Sequence, residues 1–212
     1  MSDPESTEAR RAALAIVQRL EEAGFQAYWV GGCVRDMLMG REPVDFDVAT
    51  SATPDQILSV FPRALEVGKA FGVVQVLIGG EPHDVATFRR DASYEDSRHP
   101  TAVEFTDAEE DARRRDFTIN GLFYDPVRKR VVDYVGGQKD IEARVIRTIG
   151  RAEDRFAEDA LRMLRAIRFA SVLEFAIEPE TFSAIRALSP RITKVSAERV
   201  RHELTRLLTE SP

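Results

Sequence analysis

The chain has little cysteine, little histidine and no long apolar run. Of 212 residues, one is cysteine (Cys33) and three are histidines. A lone cysteine excludes an internal disulfide and suits a reducing, cytoplasmic setting. No run of about 18 apolar residues occurs, so no transmembrane helix is expected. The N-terminus, Met-Ser-Asp-Pro-Glu-Ser, is polar and acidic and reads as neither signal peptide nor membrane span. His83, His99 and His202 are scattered, which leaves no zinc-type spacing and no Ser/His/Asp arrangement. Repeats and low-complexity tracts are also missing. The net charge of −6 argues against a generic nucleic-acid coat.

What remains is an ordinary globular composition, 43% hydrophobic and 31% charged, long enough for one large domain or two small ones. Its charge is unevenly placed. Arg113-Arg114-Arg115 forms one basic cluster, and six arginines lie between Arg147 and Arg168. An RNA substrate is therefore compatible with the acidic total.

Residues 31–50, GGCVRDMLMGREPVDFDVAT, carry the densest signal. Phe25–Val30 is rich in β-forming residues and runs into Gly31-Gly32. Glycines there let backbone approach a phosphate, and a short helix over Val34–Met39 directs N–H groups toward the same place. Asp45 and Asp47 flank Phe46, so in a strand both carboxylates share one face. Two such carboxylates call for a divalent cation, and all-oxygen ligands favour Mg²⁺ or Mn²⁺.

This stretch resembles the first motif of the class II tRNA nucleotidyltransferases, the CCA-adding enzymes and their bacterial poly(A) polymerase relatives. The resemblance implies an α+β fold: a polymerase β-like nucleotidyltransferase head with a mixed sheet, then an all-helical neck. It implies a third carboxylate on a neighbouring strand, where Asp84 stands. Residues 91–102 resemble the family's flexible loop, with Arg98 matching and Ser97 where Gly is commoner. Arg114-Arg115-Asp116-Phe117-Thr118-Ile119-Asn120 resembles the second motif; Arg115, Asp116 and Asn120 would position the sugar. Asp133 with Gly136-Gly137 resembles the hinge, which places a boundary between a head over residues 1–138 and a neck over 139–212. The family's body and tail are absent, so a truncated or unusually short member is expected.

The remaining elements follow from pattern. A helix is expected over residues 8–24, another opening at Thr53-Pro54, and strands over Ala64–Val67, Val73–Ile78 and His83–Arg89. After about residue 150, strand signals give way to helices. Residues 153–173 form one expected helix with Phe156, Ala160, Met163 and Ile167 as its apolar stripe. Glu158-Asp159-Ala160-Leu161-Arg162 resembles the family's nucleobase-reading motif. On a continuous helix Asp159 and Arg162 are neighbours three residues apart. A carboxylate only accepts and a guanidinium only donates, so the pair matches cytosine and adenine and mismatches uracil and guanine. Arg165 and Arg168 are expected substrate contacts on the same helix. Ser196–Glu203 resembles the last motif, and Glu198 and Arg199 read as structural.

The implied activity is template-independent transfer of CMP or AMP from CTP or ATP to a tRNA 3′-end. Asp45 and Asp47 would hold two Mg²⁺ (or Mn²⁺) with Asp84 assisting, and Gly31, Gly32 and Arg35 would hold phosphates. The alternatives are a bacterial poly(A) polymerase and a catalytically incomplete RNA- or nucleotide-binding module. Gly68-Lys69-Ala70-Phe71-Gly72 lacks the basic pair usual in the former.

Overall fold

The computed structural model describes residues 8–91 and 103–211. It opens with α1 (Glu8–Glu22), whose Ala12, Ala13, Ile16, Val17 and Leu20 are buried at helical spacing. β1 (Ala27–Val30) follows and leads into α2 (Gly32–Leu38). β2 (Asp47–Thr50) and α3 (Pro54–Val60) come next. The Thr53 hydroxyl accepts from the Gln56 N–H, and the Gln56 side chain accepts from the Thr53 N–H. This capping box, with Pro54 in the first turn, fixes where α3 begins.

β3 (Val73–Ile78) and β4 (Glu81–Thr87) form a hairpin, and β5 (Arg89–Asp91) pairs with β6 (Val103–Phe105) apart from the main sheet. α4 (Ala108–Arg113) is capped by Asp107, whose carboxylate accepts the Glu110 N–H. β7 (Leu122–Asp125) and β8 (Arg130–Asp133) form a second hairpin. α5 (Gly137–Glu142), β9 (Val145–Ile146), α6 (Ala152–Glu158), α7 (Leu161–Leu173), β10 (Ala176–Ile177), α8 (Pro179–Leu188) and α9 (Ala197–Glu210) complete the chain.

Six strands make one mixed sheet in the order β3-β4-β2-β1-β7-β8. Every pairing is antiparallel except β2 with β4, which is parallel. The larger core cluster joins α1, one sheet face (Trp29, Val48, Val74, Val85) and the helical part (Phe156, Met163, Phe169, Leu173, Ile185). The other face packs Val30, Ala49, Phe88 and Phe123 beneath Ala108 and Ala112 of α4. Apolar burial therefore continues across the expected head–neck boundary, which couples the two parts. Among the described residues no helix is long and apolar enough to cross a membrane.

Four local expectations are corrected. Residues 64–67 are not a strand: only Leu65 pairs, with Gln75, before the chain enters a 3₁₀ turn at Lys69–Phe71. The third expected strand divides at Phe88, which is fully buried and whose N–H bonds the Thr50 carbonyl at 2.7 Å. Strand structure persists past residue 150, since β10 pairs in parallel with β9. The expected helix over 153–173 breaks at Asp159, which adopts extended backbone (φ −145, ψ 105) between α6 and α7.

The expected hinge is tightly packed on one side. The Asp133 carboxylate accepts four backbone N–H groups, from Val135, Gly136, Gly137 and Gln138. A Cβ on Gly137 would lie 2.2 Å from the Thr118 carbonyl oxygen. No side chain fits there without backbone movement. Gly137→Ala is expected to destabilise the protein by at least about 2 kcal/mol in urea denaturation, the cost of overpacking against backbone.

Candidate active site

The site lies where β1 ends and β2 begins, beside the middle of β4. β1 runs into Gly31, which has φ 74, a left-handed conformation that favours glycine. A Cβ there would meet the Arg115 guanidinium at 3.3 Å. Gly31 thus serves both the turn and the close approach of a cation.

Asp45 precedes β2 and Asp47 begins it, with Phe46 buried between them. The alternation expected from sequence therefore holds, and both carboxylates line the same cleft. β2 and β4 run in parallel with Val48 beside Val85, so one step back along each strand stand Asp47 and Asp84. Gln75 Nε2 donates to Asp84 Oδ1 at 3.0 Å. Burial pushes the Asp47 carboxyl above its ordinary value; Arg115 opposes this, and Asp84 and Asp45 add to it. Asp47 stays open to the cleft, so water screens part of the effect.

Two clefts meet at these acids. One, of about 840 Å³, is lined by Gly31, Gly32, Arg35, Asp45 and Asp47, by Arg114, Arg115, Asp116 and Asn120 of the second motif, and by Asp159, Leu161 and Arg162 of the nucleobase motif. The other, of about 690 Å³, carries Asp45, Asp47 and Asp84 with Arg11, Gln75 and His83. Asp45 and Asp47 form the wall common to both.

In the larger cleft the cations are held by a polar chain. Arg115 bonds Asp111 through Nε and Nη2, at 3.2 and 3.0 Å, and stacks over Phe123 at 5.2 Å. Burial alone would raise the Asp111 carboxyl, but Arg115 and Arg114 hold it low. Arg35 Nη1 donates to Asn120 Oδ1 at 2.8 Å, and Asn120 Nδ2 donates to Asp116 Oδ1 at 3.2 Å. Arg165 closes on Asp116 Oδ2 at 2.7 Å. Burial would raise the Asp116 carboxyl too; the Arg165 guanidinium holds it below the usual carboxylate range. The guanidiniums of Arg35, Arg165 and Arg168 all stack on Phe169.

The nucleobase motif is arranged differently from expectation. Asp159 and Arg162 both line the cleft, but they do not pair as neighbours on one helix, because α7 starts only at Leu161. Arg162 Nη1 donates to Glu158 Oε2 at 2.6 Å. Asp159 is bonded instead by Arg199 of α9, at 2.7 Å. Arg168 lies at the cleft wall yet is 2% exposed and bonds the buried Glu203 at 2.7 Å, so it first fastens α7 to α9. Arg98 lies outside the described residues.

Sequence reasoning missed Arg41, Arg114, Arg199 and Arg206 as cleft residues. A signal for two of them was present. Arg199, Glu203, Arg206 and Glu210 recur at four- and three-residue steps, a charged stripe on one face of α9.

The donor set suits a small hard cation. Asp45 and Asp47 offer paired carboxylates, and among the described residues no three acidic, His or Cys side chains close on one point. Mg²⁺ is held in this way, by one or two carboxylates with water and substrate phosphates completing the shell.

Residues 27–147 match the Poly A polymerase head domain model, and residues 174–212 match a model described as a probable RNA- and SrmB-binding site of polymerase A. The chain belongs to the poly(A) polymerase head-domain family. Within it, the chain is 46% identical over 197 residues to a CCA-adding enzyme of Geobacillus stearothermophilus, covering 92% of this chain and 48% of the relative. A crystal structure of Bacillus stearothermophilus CCA-adding enzyme in complex with CTP superposes with a TM-score of 0.87 at 43% identity, over 95% of this chain and 49% of that one. The Thermotoga maritima CCA-adding enzyme complexed with tRNA gives a TM-score of 0.78 at 26% identity, over 98% and 49%. The chain spans about half the length of the relatives it matches. The mixed sheet with helices is the nucleotidyltransferase head fold of these structures.

The raised Asp47 carboxyl has a measurable consequence. A group that binds its proton more tightly when folded adds stability at low pH and loses it as pH rises through the folded value. Asp47→Asn is therefore expected to raise the thermal midpoint of the metal-free protein at pH 7. The gain should shrink as pH falls through the raised Asp47 value toward the ordinary 3.8. Equal midpoints of the two proteins at pH 7 would contradict the arrangement.

Proposed function

We propose that this chain is the catalytic part of a tRNA nucleotidyltransferase that adds CMP or AMP from CTP or ATP to a tRNA 3′-end. The observation that carries the reading is the pair Asp45 and Asp47 on the wall common to two clefts. A reaction joining two substrates needs its reacting atoms at such a seam. The names of the relatives, which include a CTP complex and a tRNA complex, support the choice of substrates. In this reading the head ends near residue 138 and the neck begins there. The lone buried Cys33 suits a reducing cytoplasm.

The larger cleft receives the nucleoside triphosphate. Gly31 and Gly32 offer backbone without side chains, and Arg35 and Arg115 face the phosphates as fork-shaped donors. Asp116 and Asn120, fixed by Arg165 and Arg35, hold the sugar hydroxyls. Asp159 and Arg162 meet the base edge. Arg98, outside the described residues, is assigned a phosphate contact on the family resemblance alone.

The 3′-hydroxyl of the tRNA enters from the smaller cleft, beside Asp84. Its oxygen bonds to the α-phosphorus, the bond from that phosphorus to the bridging oxygen breaks, pyrophosphate leaves, and the hydroxyl proton passes to solvent. Mg²⁺, or Mn²⁺, held by Asp45 and Asp47 with Asp84 beside them, supplies Lewis-acid polarisation of hydroxyl and phosphate when bound. The residues of the larger cleft hold the triphosphate in line and screen its charge.

Extension of tRNAs ending at the discriminator base, at C or at CC, with CTP or ATP offered separately, tests the reading. Asp45→Ala and Asp47→Ala are expected to lower incorporation by at least roughly two orders of magnitude. Full incorporation by either variant would remove the metal assignment. Extension of any RNA by A alone would favour the poly(A) polymerase reading. Nucleotide binding with Mg²⁺ but no extension would favour a binding module. Asp159→Ala is expected to admit UTP and GTP, and unchanged selectivity would end the base-reading assignment.

A further inference from the structure

Arg199 stands 40 residues along the chain from Asp159 and makes two bonds to it. Nη2 donates to Oδ2 at 2.7 Å and Nη1 to Oδ1 at 3.3 Å. Both side chains line the larger cleft and are mostly covered, 23% and 15% exposed. The Leu161 N–H also donates to Oδ1, at 3.0 Å.

These contacts can be counted against what a carboxylate offers. Each oxygen carries two in-plane acceptor positions. On Oδ1 both are taken, by Arg199 and Leu161. On Oδ2 one is taken by Arg199, and one remains. Arg162 uses neither, because it turns to Glu158 and to the Arg155 carbonyl at 3.2 Å. A two-point bond to a planar guanidinium also stops the carboxylate rotating.

The backbone makes this support necessary. Asp159 sits in extended conformation at the break between two helices. On its own stretch of chain only the Leu161 N–H holds its side chain, through Oδ1, and α9 supplies the contact to Oδ2 from outside.

We propose that Arg199 is a positioning residue for base selection: it clamps Asp159 so that one acceptor position on Oδ2 meets the exocyclic amino group of cytosine or adenine. The inference rests on the base-reading role of Asp159 given above. An amino group donates to that position, whereas uracil and guanine bring a carbonyl, and two acceptors face each other. Without the clamp the carboxylate turns, and its acceptor position is no longer matched to one class of base edge.

Equilibrium binding of CTP, UTP, ATP and GTP in Mg²⁺ tests this without tRNA. Arg199→Gln is expected to lower the preference for CTP over UTP and for ATP over GTP by about tenfold, the effect of one charged hydrogen bond. Arg199→Lys is expected to lose most of the same preference, because an ammonium cannot bridge both oxygens. It also carries the comparison if the glutamine variant melts early. Ile185→Ala provides the structural control, since it removes buried bulk from α8 at a position that does not line the cleft. It should lower the thermal midpoint and keep the preference.

Wild-type preference in both Arg199 variants, with preference lost in Asp159→Ala, overturns the clamp and leaves base reading by Asp159 intact. Loss of preference in Ile185→Ala equal to that in the Arg199 variants also overturns it, by showing a general effect of neck stability. Preference retained in Asp159→Ala overturns the clamp together with the reading beneath it.

Discussion

The structure depends on one buried carboxylate, Asp116. It sits in the head, yet its strongest partner, Arg165, comes from α7. Its other oxygen accepts the Phe117 N–H and the Asn120 side chain, and Asn120 passes the chain on to Arg35 in α2. On the far side Arg165 approaches Glu203 at 3.5 Å, Glu203 holds Arg168, and Arg168 and Arg206 both reach Glu210. A buried ion pair adds little net stability, but removing one member strands the other charge. The pair therefore works as a register device. Only one seating of α7 against the head satisfies both groups, and that seating forms the wall of the larger cleft.

The cleft inherits its charge from the same arrangement. A chain of net charge −6 gathers guanidiniums on one side of the acid pair and leaves the carboxylates crowded on the other. Burial, and to a lesser degree the neighbouring Asp84 and Asp45, make the charged Asp47 unfavourable in the free protein, as its raised carboxyl records. A cation between acids and phosphates relieves this. Function and stability pull in opposite directions at Asp47, a common condition at active sites. Elsewhere the molecule is conventionally packed, with one apolar cluster continuing from α1 to α8.

Much of this was readable from local pattern. The β-rich run into Gly31-Gly32, the shared face of Asp45 and Asp47 and the opening of α3 at Thr53-Pro54 all appeared where expected. The errors have physical causes. Ala64–Val67 is β-like in composition but has room beside β3 for only one paired residue. Residues 153–173 carry a continuous apolar stripe, yet the chain breaks at Asp159. There the carboxylate is used by Leu161 and Arg199 rather than by a helical neighbour. Asp84 was placed on the correct strand, but its position in the second cleft needed the parallel pairing of β2 with β4.

By itself the sequence determined the pieces whose logic is short in range: strand, glycine turn, acid pair, caps and amphipathic helices. Each depends on residues within one pleat or one helical turn, so neighbours in the chain suffice to specify it. The tertiary structure alone decided which cation meets Asp159. Arg162 is three residues from Asp159 and Arg199 is forty away, yet the distant one makes the bond. An i,i+3 pair requires unbroken helix, and the break at Asp159 withdraws that geometry while α9 packs against α7 and brings Arg199 within reach.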